Sequence, residues 1–409
     1  MDTATYAVPP EFERYRTRAL LVGVVVLVAA SALAFLVGGA VEFFRAYLVA
    51  YVFWVGIAVG SMAIMMLHHL SGGAWGLVIR RIFEAATRTL PLLAVAFLPI
   101  AVSLFVHPHG HSLYEWSNPE AVSHDKVLQE KQLYLNAPFF LGRFVFYFVV
   151  WGGLAYLLNK WSLQQDHTGD PRVRRKLQNV SGPGILLFGL TVTFASVDWL
   201  MSLEPHWFST IYGLLLMASW GLSALAFVIV VAGILAQREP MSRVFASRHF
   251  HDYGKLMLAF VMLYAYFAFS QFLITWSGNL PEETPWYLRR LRGGWQYVGL
   301  ALVLLNFALP FVLLLSRNLK RDARKLVWVA LLVLVMRVVD MIYLVAPAEH
   351  QGEGAPHFSA LDFLTMFGAT VGLGGIWLAY FAWQLKQRPL LPVQADDLAE
   401  SVGEGAGHH

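Results

Sequence analysis

The apolar residues of this chain fall into ten continuous runs separated by polar connections. Each run can cross a hydrocarbon core of about 30 Å as an α-helix. The runs do not alternate with polar residues, as the strands of a membrane β-barrel would. Pro91 and Pro99 predict a kinked or tilted third span. The pattern predicts an all-α, polytopic membrane protein with spans 1 to 10 at about 19–40, 44–67, 89–106, 137–158, 183–203, 208–235, 254–277, 295–316, 325–346 and 361–384.

The composition agrees with this fold class and restricts the cofactors. Of the 409 residues, 57% are hydrophobic and 14% are charged, which excludes an ordinary soluble globular protein. The chain has no cysteine, so thiolate-bound iron–sulfur clusters, c-type haem attachment and disulfides are excluded. The first apolar run leads directly into further spans, and we expect it to be retained as a helix and not cleaved as a signal peptide.

Lysine and arginine are unequally distributed between the two sets of connections. One set contains only Arg45, Lys126, Lys131, Arg289, Arg290 and Arg292. The other set contains most of the rest, in the segments 14–18, 80–88, 160–176, 238–248, 317–325 and 386–388. Because positively charged connections stay on the cytoplasmic side, we expect both termini to be cytoplasmic.

The histidines do not have the pattern of a haem or metal site. A membrane haem needs axial histidines on facing helices at one depth, but all fourteen histidines lie in loops, tails or span ends. The outer connection 107–136 contains HPHGH at 107–111, and three histidines at a spacing of two could bind a metal. Its proline and glycine interrupt any helix, and no fourth ligand is evident. We therefore expect solvated histidines, no metal site and no cofactor bound by this chain.

Three spans carry polar groups that are costly in lipid and need a partner or water. Span 5 contains Asp198, and span 7 contains Gln271 at a similar depth. Span 9 contains Arg337 and Asp340, which share one helix face because they are three residues apart. We predict that these groups meet in the bundle interior, where Arg337 neutralises one or both carboxylates. The cluster is then either an ion pair that fixes helix packing or a proton route or ligand pocket.

Glu204 and His206 are further candidates at the outer end of span 5, where Pro205 ends the helix. One interpretation is that they cap the helix at the membrane surface. The other is that they extend a route from Asp198 to outer water, because a histidine can titrate near neutral pH.

His68 and His69 end span 2 on the cytoplasmic side, either as ordinary interfacial residues or as the inner end of a proton route. Arg143 lies near the outer end of span 4, and we expect its side chain to extend to the membrane surface. Asn306, near the middle of span 8, is expected to form a hydrogen bond with a neighbouring helix.

Several stretches carry distinctive combinations of residues: LHHLSGGAWG (67–76), YEWSNPE (114–120) with YLNAPFFLGR (134–143), SVDWLMSLEPHWFSTIYG (196–213), AYFAFSQFLITWSGNLPEETPWYLRR (265–290) and RVVDMIYLVAP (337–347). Together they resemble the ActF subunits of alternative complex III, which belong to the NrfD/PsrC-like family of integral membrane proteins. The resemblance extends over nearly the whole chain.

The resemblance implies a single integral membrane domain over 1–409 in the bacterial inner membrane. It implies two four-helix bundles, spans 2–5 and spans 6–9, with spans 1 and 10 beside them. The corresponding segments are a cytoplasmic N-terminal segment 1–18, a first bundle 44–203 with the outer loop 107–136, a second bundle 208–346, a last helix 361–384 and a flexible cytoplasmic tail 389–409.

The resemblance also implies a function within a respiratory or photosynthetic complex. That complex oxidises menaquinol or a related quinol and passes electrons to a periplasmic cytochrome c or blue copper protein. This chain would be a non-catalytic subunit beside a homologous NrfD-like subunit, an iron–sulfur subunit and a multihaem cytochrome c subunit, which hold the clusters and haems. Lipids are expected partners and nucleic acid is not. The proton-route candidates implied here are Asp198, Glu204, His206, Arg337 and Asp340, with Gln271 nearby and His68 and His69 at the inner end.

Two other functions stay open. The chain could be the quinone-anchoring subunit of a polysulfide- or nitrite-reductase-type complex, which would differ in the iron–sulfur and haem subunits that co-purify with it. It could also be a stand-alone secondary transporter. Transporters usually have broken spans at corresponding positions of both halves, and the sequence shows no convincing pair of this kind.

Overall fold

The computed structural model describes residues 6–168, 170–348 and 357–391. The expected tail lies outside the described residues from 392 onward, as do the first five residues of the N-terminal segment. Within the described ranges the chain is helical, without strands, and nine helices are long and apolar enough to cross a membrane. The prediction of an all-α, polytopic membrane protein is confirmed.

The first helix, Glu11–Ser71, is interrupted at Gly38 and Gly39. Gly38 has φ −143° and ψ 16°, and Gly39 has φ +69°, so neither residue is helical. Glycine adopts a positive φ readily because it has no Cβ. The pair therefore lets the chain turn between two arms, 11–37 and 40–71.

Both arms pack along the last helix, Ala360–Lys386, in opposite directions. From its beginning to its end, the first arm contacts the last helix at positions progressively closer to the start of that helix. The second arm contacts it at positions progressively closer to its end. The pairs are Glu13–Lys386, Gly23–Gly375, Ala30–Gly368, Glu42–Thr365 and Trp54–Gly374. The two arms are thus antiparallel spans, and the nine helices of the described chain make ten crossings.

The remaining spans follow the predicted order. Span 3 is Arg80–Thr87, Leu90–Val95 and Leu98–Ser103; spans 4 to 7 are Ala137–Thr168, Pro171–Trp199, Tyr212–Leu235 and Ser247–Gly278; span 8 is Trp295–Ala301, Leu302–Ala308 and Leu309–Leu315; spans 9 and 10 are Ala323–Val345 and Ala360–Lys386. Short helices lie in the connections at Pro119–His124, Lys126–Lys131, Thr284–Arg290 and Arg317–Arg321.

Spans 3 and 8 are irregular for identifiable reasons. Pro91 and Pro99 each lie in the first turn of a new short helix, so span 3 is interrupted where its prolines predict. In span 8, a π-helical segment at Leu302–Ala308 precedes Pro310. Pro310 has no N–H, so it cannot donate the usual α-helical hydrogen bond to the carbonyl oxygen of Asn306, four residues earlier.

Spans 2 and 6 form the centre of the molecule, and most of their residues are buried. They approach closely at Gly60, where an added Cβ would lie 2.3 Å from the Trp220 carbonyl oxygen. Span 5 packs against both of these central spans, span 7 packs against span 6, and span 9 packs against span 6 and the first helix. Spans 2–5 are called the first half below and spans 6–9 the second half.

We expect Gly375→Ala to destabilise the purified chain by about 1–3 kcal/mol, because overpacking has this effect in well-packed cores. A Cβ at Gly375 would lie 2.4 Å from the Ala19 carbonyl oxygen and 2.5 Å from the Gly23 Cα. Thermal unfolding in detergent is the measurement. Gly152→Ala is the matched control, since nothing described lies within 4 Å of its Cβ position. Equal melting temperatures for the two variants would contradict the close packing of spans 1 and 10.

Candidate functional site

The carboxylate of Asp198 is buried in the first half and is held by two side chains of span 4. The Arg143 Nε donates to both carboxylate oxygens, at 3.1 Å and 2.9 Å, and its Nη2 donates to Oδ1 at 2.8 Å. The Tyr147 hydroxyl donates to Oδ2 at 2.6 Å. Asp198 is 1% exposed and Arg143 is 9% exposed, so this is a buried, multiply hydrogen-bonded ion pair.

The outer end of span 4 and the loop before it surround the guanidinium of Arg143. Its Nη1 donates to the Tyr134 carbonyl oxygen at 2.9 Å, and its carbon atom Cζ lies 3.8 Å from the centre of the Tyr134 ring and 4.5 Å from that of Phe139. Burial raises the pKa of the Tyr134 phenol, and the charge of Asp198 raises it further. Tyr134 is therefore a neutral neighbour of the ion pair at physiological pH.

Of the one or both carboxylates that Arg337 was predicted to neutralise, it binds Asp340 and not Asp198. Arg143 binds Asp198 instead, and the expectation that Arg143 extends to the membrane surface is wrong. The physical reason is that spans 4 and 5 are antiparallel neighbours, so a residue just inside the start of span 4 lies opposite one just before the end of span 5. This matched depth was the signal in the sequence that could have identified Arg143.

Arg337 and Asp340 form a second centre, in the second half. The Arg337 Nη2 donates to Asp340 Oδ2 at 2.5 Å and to the Ser219 hydroxyl at 2.7 Å. The Tyr264 hydroxyl donates to Asp340 Oδ1 at 2.6 Å, and the Arg337 guanidinium lies 3.8 Å above the Tyr264 ring. The expected pairing of Arg337 with Asp340 is therefore present, with Tyr264 of span 7 and Ser219 of span 6 as partners that the sequence did not reveal.

Three tryptophan side chains of spans 4, 5 and 6 contact one another close to the Asp198 centre. The rings of Trp199 and Trp220 are 6.4 Å apart, and the Trp151 ring lies 6.0 Å from that of Trp199 and 6.2 Å from that of Trp220. The Tyr147 ring, whose hydroxyl binds Asp198, lies 6.3 Å from that of Trp199. The predicted single cluster from three spans is replaced by two centres, one in each half.

Arg337 of the second centre and other residues of the second half have buried polar atoms that lack a hydrogen-bond partner within the described ranges. Among the described residues, no hydrogen-bond partner is present for Nε and Nη1 of Arg337, for either amide atom of Gln271 or for Oδ1 of Asn306. Gln271 lies seven residues after Tyr264 on span 7, and therefore two turns away on the same face. Because buried polar groups are normally hydrogen-bonded, these atoms can bind water or the polar part of a ligand. The hydrogen bond expected from Asn306 to a neighbouring helix is not seen for its side-chain oxygen within the described part of the chain.

Glu204 is an anchor for an outer loop and has no contact with Asp198. Arg289 Nη1 donates to its Oε2 at 2.9 Å, and Arg290 Nη2 donates to its Oε1 at 3.0 Å. Arg290 is fully buried and also donates to the carbonyl oxygens of Trp286, Tyr343 and Leu344. The loop after span 7 is thereby joined to the outer ends of spans 5 and 9.

His206 is half-exposed and binds the outer loop instead of the Asp198 centre. Its Nε2 lies 2.6 Å from Asp125 Oδ2. Burial raises the pKa of Asp125, but hydrogen bonds from His206 and from the backbone amides of Leu128 and Val127 lower it more, so the pKa lies below its usual value. The carboxylate, and with it this contact, is lost only as the pH falls through that lowered pKa. The proposed route from Asp198 through Glu204 and His206 therefore has no continuous set of contacts here.

At the opposite end of the spans, His68 and His69 lie beside a buried ionic network that the sequence did not predict. Glu84 is fully buried and accepts hydrogen bonds from Arg80, Arg81, Arg388 and the hydroxyl of Ser162. Within the described chain, His68 Nδ1 and His69 Nε2 are buried and have no hydrogen-bond partner. The histidines are thus placed next to fixed charge, and neither contacts the Asp198 or Arg337 centre.

Two of the three histidines of HPHGH, His107 and His111, have described side chains. His107 Nε2 lies 3.3 Å from the Ser117 hydroxyl, and the side chain of His109 lies outside the described residues. Among the side chains that are described, no group of three or more His, Asp or Glu is arranged to hold a metal ion.

Comparison with known proteins does not assign this chain to a family. No family model matches it, and no curated protein is significantly similar to it. The function is therefore inferred from the polar centres and from the motifs that resemble ActF subunits.

Proposed function

We propose that this chain is a membrane subunit of a quinol-oxidising complex of the alternative complex III type. In this role it has no redox cofactor and provides a polar, proton-conducting or quinone-facing interior. The observation that carries the proposal is the buried Arg337–Asp340 pair, in which Nε and Nη1 of Arg337 have no hydrogen-bond partner among the described residues. In the same half, Gln271 of span 7 and Asn306 of span 8 carry further buried polar atoms without a described partner. Ionisable groups inside a membrane protein are expensive and usually serve a function.

The two centres are suited to different roles. Arg143 and Tyr147 donate hydrogen bonds to both carboxylate oxygens of Asp198. Asp198 is therefore assigned a positioning role that joins spans 4 and 5. In the described part of the chain, the second centre has the unpartnered donors Nε and Nη1 of Arg337, which can bind water or a quinone carbonyl. We assign proton movement or quinone contact to the second half.

The resemblance to ActF subunits suggests the electron pathway and the membrane in which this chain would function. The electrons would travel through clusters and haems of partner subunits, from menaquinol or a related quinol to a periplasmic cytochrome c or blue copper protein. The chain would lie in the bacterial inner membrane with both termini in the cytoplasm. Its own residues would bind and orient the quinol or move its protons, without carrying electrons.

Gln271→Leu in the assembled complex tests the assignment. We expect quinol turnover, or the proton release coupled to it, to fall about tenfold or more, since a relay group typically contributes at least that much. Stability should be unchanged or improved, because an apolar side chain of similar size replaces an unsatisfied amide. Quinol oxidation with a soluble acceptor and proton release in proteoliposomes are the measurements.

Two further variants make that result interpretable. Ser223→Ala removes a buried hydroxyl of the same half that is already bonded to its own helix, and it should leave turnover unchanged. Asp198→Asn should reduce stability more than turnover per folded complex. Normal turnover and normal proton release in Gln271→Leu would remove the functional role of the second centre.

A further inference from the structure

A large cleft opens at the outer end of the molecule. Its volume is about 1240 Å³, which exceeds the 300–1,000 Å³ typical of small-molecule pockets. Its walls come from segments far apart in the sequence: the turn of the first hairpin, the outer loop, the corner after span 5, the loop after span 7 and the start of span 10. The lining residues fall in 37–45, 108–127, 203–207, 281–289 and 359–362.

The walls of the cleft are joined by specific contacts. Trp207 of the corner stacks on Trp286 of the loop after span 7, with ring centres 5.0 Å apart and an interplanar angle of 17°. The Glu204 ion pairs join the same two segments, and Lys131 Nζ donates to the Pro205 carbonyl oxygen at 2.5 Å. The cleft is therefore preformed, which lowers the entropic cost of binding a partner.

Carboxylates outnumber guanidiniums in the lining. The acidic residues are Glu42, Glu115, Glu204, Glu282 and Asp362, and the arginines are Arg45 and Arg289. Arg45 lies 3.4 Å from Glu42, and Glu204 pairs with both Arg289 and the buried Arg290, so the excess negative charge comes from the other carboxylates, among them Glu282 and Asp362. Glu282 is exposed, and Asp362 is partly exposed at the first turn of span 10. A cleft lined by one excess sign of charge focuses the field and attracts the opposite charge.

We propose that this cleft binds a cationic segment, rich in Lys or Arg, of a protein partner on the outer side. The negative charge of the lining favours a basic occupant. The volume, larger than that of a typical small-molecule pocket, favours a peptide segment. The inference rests on the proposed function, because it requires the chain to be a subunit of a complex.

Carbodiimide cross-linking of the native complex tests the contact. The complex is isolated through a tag on this chain, coupled with a reagent that joins carboxylates to lysine amines, and digested for mass spectrometry. We expect cross-links from Glu282 or Asp362 to lysines of a partner subunit. Partners that co-purify, give no cross-link to the cleft and are retained equally after reversal of the Glu282 charge would overturn this inference alone. Absence of any co-purifying subunit would overturn the proposed function as well.

Charge reversal is an independent test that also detects an arginine-rich partner. Glu282→Lys should weaken the retention of the partner at least tenfold at low salt, and Glu282→Gln should weaken it less. Glu130→Lys is the matched control, because Glu130 is exposed in the outer loop and does not line the cleft. Equal retention in the Glu282→Lys and Glu130→Lys complexes would contradict the proposal.

Discussion

Replacing Arg143 with alanine is expected to destabilise the chain by about 3–5 kcal/mol, the usual effect of removing one partner from a buried ion pair. The variant removes the guanidinium from the carboxylate of Asp198, which is 1% exposed and keeps the Tyr147 hydroxyl as a side-chain donor. It also removes the hydrogen bond to the Tyr134 carbonyl oxygen. Both losses fall at the junction of spans 4 and 5, so we expect the first half to unfold before the second.

Thermal unfolding followed by tryptophan fluorescence in detergent measures this effect. Lys160→Ala is the control, since Lys160 is an exposed cation on the same helix, and its melting temperature should match that of the wild type. The double variant Arg143→Ala with Asp198→Asn should be more stable than the sum of the single effects predicts, because it removes both charges. Additive effects would show that the two side chains do not interact.

Arg290→Ala is expected to have the second largest effect, also about 3–5 kcal/mol. Arg290 is fully buried, and besides its ion pair with Glu204 it donates to three backbone carbonyl oxygens, which would lose that donor. Arg289→Ala is a matched control one residue away, on the same carboxylate. The Arg289 side chain is 37% exposed, so its loss should cost about 1 kcal/mol or less.

Unfolding temperatures of the two variants, measured side by side, give the comparison. A second readout is proteolysis within the loop after span 7, which Arg290 fixes to the outer ends of spans 5 and 9. We expect faster cleavage of this loop in Arg290→Ala than in Arg289→Ala. Equal destabilisation by both substitutions would mean that the salt bridges to Glu204, and not the backbone hydrogen bonds of Arg290, hold the loop.

The number and order of the spans could be predicted from the sequence because hydropathy and helix length determine them. The breaks in span 3 followed from Pro91 and Pro99. Two features were not predicted from the sequence: the π-helical segment of span 8, and the reversal of the chain at Gly38 and Gly39 within the first helix. Such details depend on how neighbouring helices pack, which the apolar pattern of one span does not specify.

The candidate site was predicted in part. The sequence predicted correctly that Asp198 has a buried partner, because a charge in lipid is costly. It did not identify Arg143 as that partner. The depth of a residue along its span can be read from the sequence, but the rotation and the neighbours of each helix cannot. Arg337 and Asp340 were paired correctly because a spacing of three residues places them on one face. Tyr147 and Tyr264, which are apolar in most of their surface, gave no signal.

Native mass spectrometry of the complex isolated through a tag on this chain tests the central claim most directly. The account predicts one assembly containing an iron–sulfur subunit, a multihaem cytochrome c subunit and a second membrane subunit of the same type, with quinol oxidation activity. Isolation of the chain by itself, together with movement of a solute into liposomes containing only this chain, would contradict it.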